Sequence, residues 1–163
     1  MGKVIVVLGA GISGLGAAIL AKKKGFQVFV SDKGNITSEH KQLLLDYNIK
    51  WEEGKHTANK ILTAYEVIKS PGIPDDIGII KKLISKNIPV ISEVEFAFRY
   101  TKANITAITG TNGKTTTSLL LGHILKKAGY DVLVAGNIGV GFALSIAERD
   151  YEYIVLELSS FQL

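Results

Sequence analysis

Cysteine is absent from the 163 residues of the chain. This absence excludes disulfide bonds and metal sites built from thiolates, and it is compatible with a cytoplasmic protein. Tryptophan occurs once, at Trp51, and we interpret this side chain as a packing residue. Only three prolines are present, and Pro71 and Pro74 surround Gly72. This spacing predicts a rigid turn.

A concentrated patch of positive charge is also missing. The net charge is +4, and the only tight basic cluster is Lys22-Lys23-Lys24. A short cluster of this kind is more typical of a solvated helix end than of a nucleic-acid site. We therefore expect no nucleic-acid partner.

Residues 4–21 carry no charged side chain, which is a pattern shared with signal segments and membrane spans. Glycines interrupt this segment, however, and its β-branched first part is followed by a second part rich in Ala and Leu. A strand, a glycine turn and a helix explain this order better. The Met-Gly start is not a myristoylation signal, because Val6 stands where that signal has Ser or Thr. We expect no association with a membrane.

The same glycines form the pattern G-x-G-x-x-G over residues 9–14, between a predicted strand at 3–8 and a helix that ends near Lys24. A second predicted strand, at 27–31, leads to Asp32, an acidic residue about 20 positions after the glycines. These features predict a Rossmann-like βαβ unit that binds an anion or a ribose. They do not identify the nucleotide, so a nicotinamide-dinucleotide-binding protein stays an open alternative.

The remainder of this first unit alternates between helix and strand patterns. We predict helices at 38–47 and 77–86, and strands at 49–51, 66–69 and 89–91. Together with the βαβ unit they make a compact domain over residues 1–93, followed by a short linking helix within 94–103. His40 and His56 show no partner pattern, and we expect both at the surface.

A second glycine turn, Thr109 to Thr116, follows an apolar β-branched strand and opens a helix. Its glycines allow backbone N–H groups to face an anion, and the helix start adds partial positive charge. Lys114 can reach the terminal phosphates of a nucleotide, and the Thr115 hydroxyl can ligate Mg²⁺. The spacing differs from the common P-loop, which would need glycine in place of Ile108.

The helix after this turn carries apolar residues on one face: Leu119, Leu120, Ile124, Leu125 and Ala128. Further strands are predicted at 131–135 and 153–158, with a glycine-rich turn at 136–139 and a helix at 142–148. Glu157 lies near the end of a buried strand beside the P-loop, where a carboxylate usually holds Mg²⁺. We therefore expect an α/β chain in which the Rossmann-like domain is followed, over residues 104–163, by the first part of a P-loop ATPase-like domain.

The motifs GTNGKTT (110–116), GNIG (136–139) and LELSSFQL (156–163), in this order, resemble those of the Mur ligase family. The resemblance covers essentially the whole chain. It implies an ATP- and Mg²⁺-dependent enzyme of bacterial peptidoglycan synthesis, which joins D-glutamate to UDP-N-acetylmuramoyl-L-alanine through an acyl phosphate. The glycine pattern at 9–14, Asp32 and the SPGI run at 70–73 favour this reaction over those of sibling ligases.

The resemblance also implies roles for individual residues. The ATP site would consist of Gly110, Thr111, Asn112, Gly113, Lys114, Thr115 and Thr116. Lys114 and Glu157 would be catalytic, and Thr115 and Glu157 would ligate Mg²⁺. The UDP part of the substrate would contact Ile12, Ser13, Asp32, Lys33 and Gly72. The muramoyl-alanine part would contact Asn137, Ser159 and Gln162.

Members of the family have three domains, and the resemblance ends inside the second. We therefore expect this chain alone to lack ligase activity and to self-associate through an exposed sheet edge and apolar helix faces, whereas the full-length enzyme would be a cytoplasmic monomer. Three alternatives stay open: the dinucleotide-binding protein, another Mur or folylpolyglutamate-type ligase, and a non-catalytic nucleotide-binding module.

Overall fold

The computed structural model describes residues 2–159 and contains two parallel β-sheets within that range. The first sheet has the strand order β3-β2-β1-β4-β5. Its strands are β1 (Val4–Leu8), β2 (Gln27–Ser31), β3 (Lys50–Glu52), β4 (Glu66–Lys69) and β5 (Val90–Ser92). The predicted α/β class is confirmed, and the charge-free segment at 4–21 forms a strand, a turn and a helix. No helix within residues 2–159 has the length and apolar character needed to cross a membrane.

Five helices accompany this sheet, including one that the sequence analysis missed. They are α1 (Ile12–Lys23), α2 (Ser38–Asp46), α3 (Ala58–Ile61), α4 (Gly78–Ser85) and α5 (Glu93–Phe98). The missed helix, α3, is a single turn of four residues, which is too short to produce a readable periodicity.

The second sheet has the order β6-β8-β7 and is also parallel. Its strands are β6 (Asn104–Ile108), β7 (Val132–Gly136) and β8 (Tyr153–Glu157). Two helices belong to it, α6 (Lys114–Lys127) and α7 (Phe142–Glu148). Because β8 is the central strand, its last residue, Glu157, lies in register between Ile108 on β6 and Gly136 on β7.

Both sheets have a point at which the chain order reverses, and ligands of open α/β sheets bind in the crevice at that point. In the first sheet the reversal lies between β1 and β4, so the turns after Leu8 and Lys69 are neighbours. In the second sheet β6 and β8 are adjacent, so the turn at 109–113 lies beside the end of β8.

The two sheets share one hydrophobic core. Its centre is the contact between α1 and α7, where a Cβ on Gly16 would lie 2.9 Å from the backbone nitrogen of Leu144. Phe96 on α5 and Phe142 on α7 are fully buried beside this contact. The short helix predicted in the linking segment is present as α5, and it packs into this core.

The apolar face predicted for α6 lies largely in solvent. Leu119, Leu120 and Ile124 are each more than half exposed, whereas Ser118 and Gly122 are buried. Small residues face the sheet because the approach is close: a Cβ on Gly122 would lie 2.3 Å from Cγ2 of Val134. Exposure of an apolar helix face, which the family resemblance led us to expect, is confirmed.

Candidate functional site

The glycine turn after β1 is folded tightly against neighbouring backbone. Gly9 has a φ of +91°, and its N–H donates to the Ser31 carbonyl oxygen at 2.9 Å. A Cβ on Gly14 would lie 2.0 Å from the Gly9 carbonyl oxygen, so only glycine fits at this position. The turn therefore leads the backbone directly onto the start of α1, where N–H groups without intrahelical partners can bind an anion.

Asp32 holds this turn in place from the end of β2. One carboxylate oxygen accepts a hydrogen bond from the Ala10 N–H at 2.6 Å, and the other accepts one from the Gly34 N–H at 2.7 Å. Each oxygen retains further acceptor capacity. Asp32 therefore shapes the turn and can still accept a hydrogen bond from a bound molecule.

A pocket of about 350 Å³ opens beside Asp32, and we call it the switch-point pocket. It brings together three of the predicted substrate residues, Asp32, Lys33 and Gly72. Its other lining residues are Gly9, His56, Ile73, Pro74 and Ile77. The pocket thus combines a carboxylate, a lysine and an imidazole with apolar walls, which suits a polar heterocycle.

The two histidines that we expected at the surface are half-buried, and His56 lines this pocket, so that expectation was wrong. His40 Nδ1 donates to the Ala10 carbonyl oxygen at 2.7 Å. His56 Nδ1 lies 2.8 Å from the Ser31 hydroxyl, and burial lowers the pKa of His56. A sequence signal existed for His56, because Gly54 marks the turn after β3 and the following residues reach the ligand-binding edge.

Glu52, at the end of β3, is a further residue that sequence reasoning missed. Its carboxylate accepts hydrogen bonds from the Thr57 N–H at 2.6 Å and the Ser31 hydroxyl at 2.9 Å. Burial would raise the pKa of Glu52, but these bonds and the one from Lys60 outweigh it and lower the pKa to about 2. The ionised carboxylate therefore holds Ser31 and Thr57, which are the chain neighbours of the pocket residues Asp32 and His56.

The turn before α6 has the geometry of a phosphate-binding loop. Gly110 and Gly113 have φ values of +140° and +75°, a region that other residues rarely adopt. Lys114 Nζ donates to the Gly110 carbonyl oxygen at 2.7 Å, so the lysine folds back over its own loop. The side chains of Thr111, Asn112, Thr115 and Thr116 are exposed around it.

Glu157 is almost completely buried at the end of β8, with 1% of its surface exposed. Its Oε1 accepts a long hydrogen bond, 3.4 Å, from the Asn137 side-chain amide. Its Oε2 is buried and has no hydrogen-bond partner within residues 2–159. Burying a carboxylate oxygen without a partner costs free energy. A cation bound at this position would offset that cost.

The single buried carboxylate of Glu157 suits Mg²⁺ better than it suits a metal held entirely by protein ligands. Across the described part of the chain, no three His, Asp or Glu side chains form a metal-sized cluster. Mg²⁺ usually takes one or two protein ligands and completes its shell with phosphate and water. The Glu157 carboxylate is one protein ligand of the type that such a site uses.

A groove of about 240 Å³ lies between the two sheets, and we call it the inter-sheet groove. It brings together four predicted substrate residues, Ile12, Ser13, Asn137 and Ser159. Pro71 and the turn at 136–141 complete its walls. Gln162 lies outside the described residues. The switch-point pocket, the inter-sheet groove and the turn at 109–113 all lie at the carboxyl ends of strands.

Two families match this chain in sequence. Residues 4–78 match the MurD N-terminal domain, and residues 108–163 match the Mur ligase middle domain. A UDP-N-acetylmuramoylalanine–D-glutamate ligase of Bacteroides fragilis is 58% identical over 161 residues, which is 99% of this chain and 36% of the relative. The corresponding ligase of Porphyromonas gingivalis is 56% identical, over 98% of this chain and 35% of the relative. The chain thus spans about a third of the length of these relatives.

Solved structures give the same fold. A murein peptide ligase from Psychrobacter arcticus matches with a TM-score of 0.63 at 22% identity, over 98% of this chain and 39% of that protein. A UDP-N-acetylmuramate-alanine ligase from Thermotoga maritima matches with a TM-score of 0.60 at 24% identity, over 98% of this chain and 37% of that protein. At these identities the likeness establishes the fold.

Glu52 gives a prediction for stability. Because its folded-state pKa is depressed, its contribution is present above the ordinary value of 4.5 and is lost as the pH falls towards 2. Glu52→Gln should lower the free energy of unfolding by about 1 to 3 kcal/mol at neutral pH, and the difference from wild type should shrink below about pH 4.

Chemical denaturation at several pH values measures this difference. Asp76→Asn, at an exposed position, is the control and should leave the free energy of unfolding unchanged. An equal effect of Glu52→Gln at pH 7 and at pH 3 would contradict the assignment.

Proposed function

The chain belongs to the Mur ligase family, and we propose that it forms the nucleotide-binding part of a cytoplasmic, ATP-dependent ligase. In this proposal the complete enzyme joins D-glutamate to UDP-N-acetylmuramoyl-L-alanine. The position of Glu157 is the observation that supports this proposal most directly. This buried carboxylate, with one oxygen lacking a partner within residues 2–159, lies between the P-loop strand and the turn that forms the inter-sheet groove.

The proposed ATP site is the loop from Gly110 to Thr116. Its backbone N–H groups and the start of α6 would bind the phosphates. Lys114 would exchange its hydrogen bond to the Gly110 carbonyl for one to the terminal phosphate, because a charged acceptor is the stronger partner. Thr115 and Glu157 would hold Mg²⁺, which supplies neutralisation of phosphate charge when bound.

The proposed substrate site runs from the switch-point pocket to the inter-sheet groove. The nucleotide would occupy the pocket beside Asp32, Lys33 and Gly72, and the start of α1 at Ile12 and Ser13 would receive the diphosphate. The muramoyl-alanine end would extend along Asn137 and Ser159, with Gln162 as a further contact. This orientation carries the substrate carboxylate towards Glu157 and the P-loop.

The chemistry of this proposal is amide formation after activation of the substrate carboxylate as an acyl phosphate. Here the protein contributes mainly positioning and charge neutralisation. Lys114 would stabilise the negative charge on the phosphoryl group during transfer.

The chain spans about a third of its relatives' length, so we expect it to bind these ligands without forming the amide. Its exposed leucine face on α6 should promote self-association, which sedimentation would detect.

Ligand selectivity tests the substrate side of the proposal. In protein-observed NMR titrations, UDP and UDP-N-acetylmuramoyl-L-alanine should shift amide signals of residues 9–14, Asp32 and Gly72. The muramoyl ligand alone should also shift signals of residues 137–141. NADH is the comparison ligand, and shifts with NADH but with neither uridine ligand would favour the dinucleotide-binding alternative.

Two lysines on α6 test the ATP side. Lys114→Ala should weaken the binding of Mg²⁺-ATP by about tenfold or more, because it removes a charge-assisted phosphate contact. Lys127→Ala, an exposed lysine at the opposite end of the same helix, should leave the affinity unchanged. Isothermal titration calorimetry measures both, and equal effects of the two substitutions would argue against a phosphate site at this loop.

A further inference from the structure

Glu93 is a buried carboxylic acid that the nucleotide sites do not use. It opens α5, is 3% exposed, and its Oε1 accepts a hydrogen bond from the Ala143 N–H at 2.6 Å. The two residues are 50 positions apart in sequence. The bond joins the helix that follows the first sheet to the first turn of α7, which belongs to the second sheet.

The first turn of α7 is continuous with the wall of the inter-sheet groove. Gly141 precedes α7 directly and lines the groove, and a Cβ on Gly141 would lie 3.3 Å from Cγ2 of Ile12. Gly141 has no side chain to cap α7, so Glu93 supplies the hydrogen-bond acceptor that this turn lacks. A change in the Glu93 bond therefore acts on the turn at 137–141.

We propose that Glu93 is a positioning residue whose ionised carboxylate holds the start of α7, and with it the groove wall at 137–141, in the ligand-binding position. The ionised form accepts the Ala143 N–H more strongly than the protonated form, because charge-assisted hydrogen bonds are shorter and stronger. Protonation of Glu93 therefore weakens the hydrogen bond that fixes the start of α7. The inference deepens the proposed function, because the groove ligand is the muramoyl-alanine end of the substrate.

The surroundings of Glu93 raise the affinity of its carboxylate for a proton. Burial raises the pKa of Glu93 from 4.5 to about 7, against the opposing effect of the Ala143 hydrogen bond. Charged side chains do occur on or next to the elements packed around α5, but within residues 2–159 none forms an ion pair with Glu93. These side chains are Lys22, Lys23, Lys24, Glu66, Lys69, Glu95, Arg99, Glu148 and Arg149.

Stability and ligand binding should therefore respond to pH in opposite directions. The folded state binds the Glu93 proton more tightly than the unfolded state, so this group's contribution to stability falls as the pH rises from about 4.5 to about 7. The hydrogen bond from Ala143 to Glu93, which fixes the start of α7, strengthens over the same pH interval. Deprotonation of a residue with only a structural role would lower the stability of the fold without increasing ligand affinity.

The test compares wild type with Glu93→Gln and Glu95→Gln in the 163-residue chain. The dissociation constant for UDP-N-acetylmuramoyl-L-alanine should fall about threefold to tenfold in wild type between about pH 5.5 and about pH 8. In Glu93→Gln, whose amide oxygen still accepts from Ala143, this change should be lost and the melting temperature at pH 8 should rise. Glu95, exposed and paired with Arg99, is the matched control, and its variant should behave like wild type.

NMR provides a readout that does not depend on the ligand. The amide signals of Ala143 and of residues 137–141 should titrate together near neutral pH in wild type and stay constant in Glu93→Gln. If the uridine ligand does not bind at all, the proposed function fails, and this titration alone decides the positioning role. Glu93→Asp, which keeps the charge on a shorter side chain, should bind the ligand weakly at every pH. Wild-type affinity in Glu93→Asp, an unchanged pH profile in Glu93→Gln, or independent titration of 137–141 would overturn the proposal.

Discussion

The close approach of α1 to α7 is the constraint on which the arrangement of the site depends. Gly16 allows the two helix backbones to meet, because any side chain there would collide with the backbone of Leu144. The contact aligns the two parallel sheets so that the glycine turn of one and the turn at 136–141 of the other line the same groove. A ligand can therefore contact both sheets at once.

Each sheet contributes a complementary chemical property to this edge. The first sheet offers a polar pocket in which Asp32, Lys33 and His56 surround apolar walls. The second offers a glycine turn with Lys114 and a buried carboxylate, one oxygen of which has no hydrogen-bond partner within residues 2–159. The proposed ligase activity follows from this combination, because a nucleotide-linked carboxylate and a phosphoryl donor would be brought together between the two sheets.

Much of this arrangement could be predicted from local sequence patterns. The β-branched runs marked the strands, and the glycine patterns at 9–14 and 110–113 marked both turns, because close backbone approach and positive φ angles demand glycine at particular spacings. The resemblance to the Mur ligase family named Ile12, Ser13, Asn137 and Ser159 as substrate contacts, and the fold brings these four residues to one groove.

The features that were missed depend on contacts distant in sequence. His40 and His56 looked like isolated surface residues because their partners, Ala10 and Ser31, are 30 and 25 positions away. The apolar stripe of α6 is exposed as the family resemblance led us to expect, but no sequence pattern identified Ser118 and Gly122 as the residues that face the sheet. No local pattern reports which residue of a helix approaches its sheet most closely.

In the proposed arrangement the alanine end of the substrate points from the inter-sheet groove towards Glu157 and the loop at 110–116, and the uracil lies furthest from them. The most direct measurement replaces Mg²⁺ with paramagnetic Mn²⁺ in the presence of ATP and records the relaxation of protons on bound UDP-N-acetylmuramoyl-L-alanine. We expect the strongest relaxation at the alanine end and the weakest at the uracil ring. Equal relaxation along the ligand, or stronger relaxation at the uracil, would rule out this arrangement.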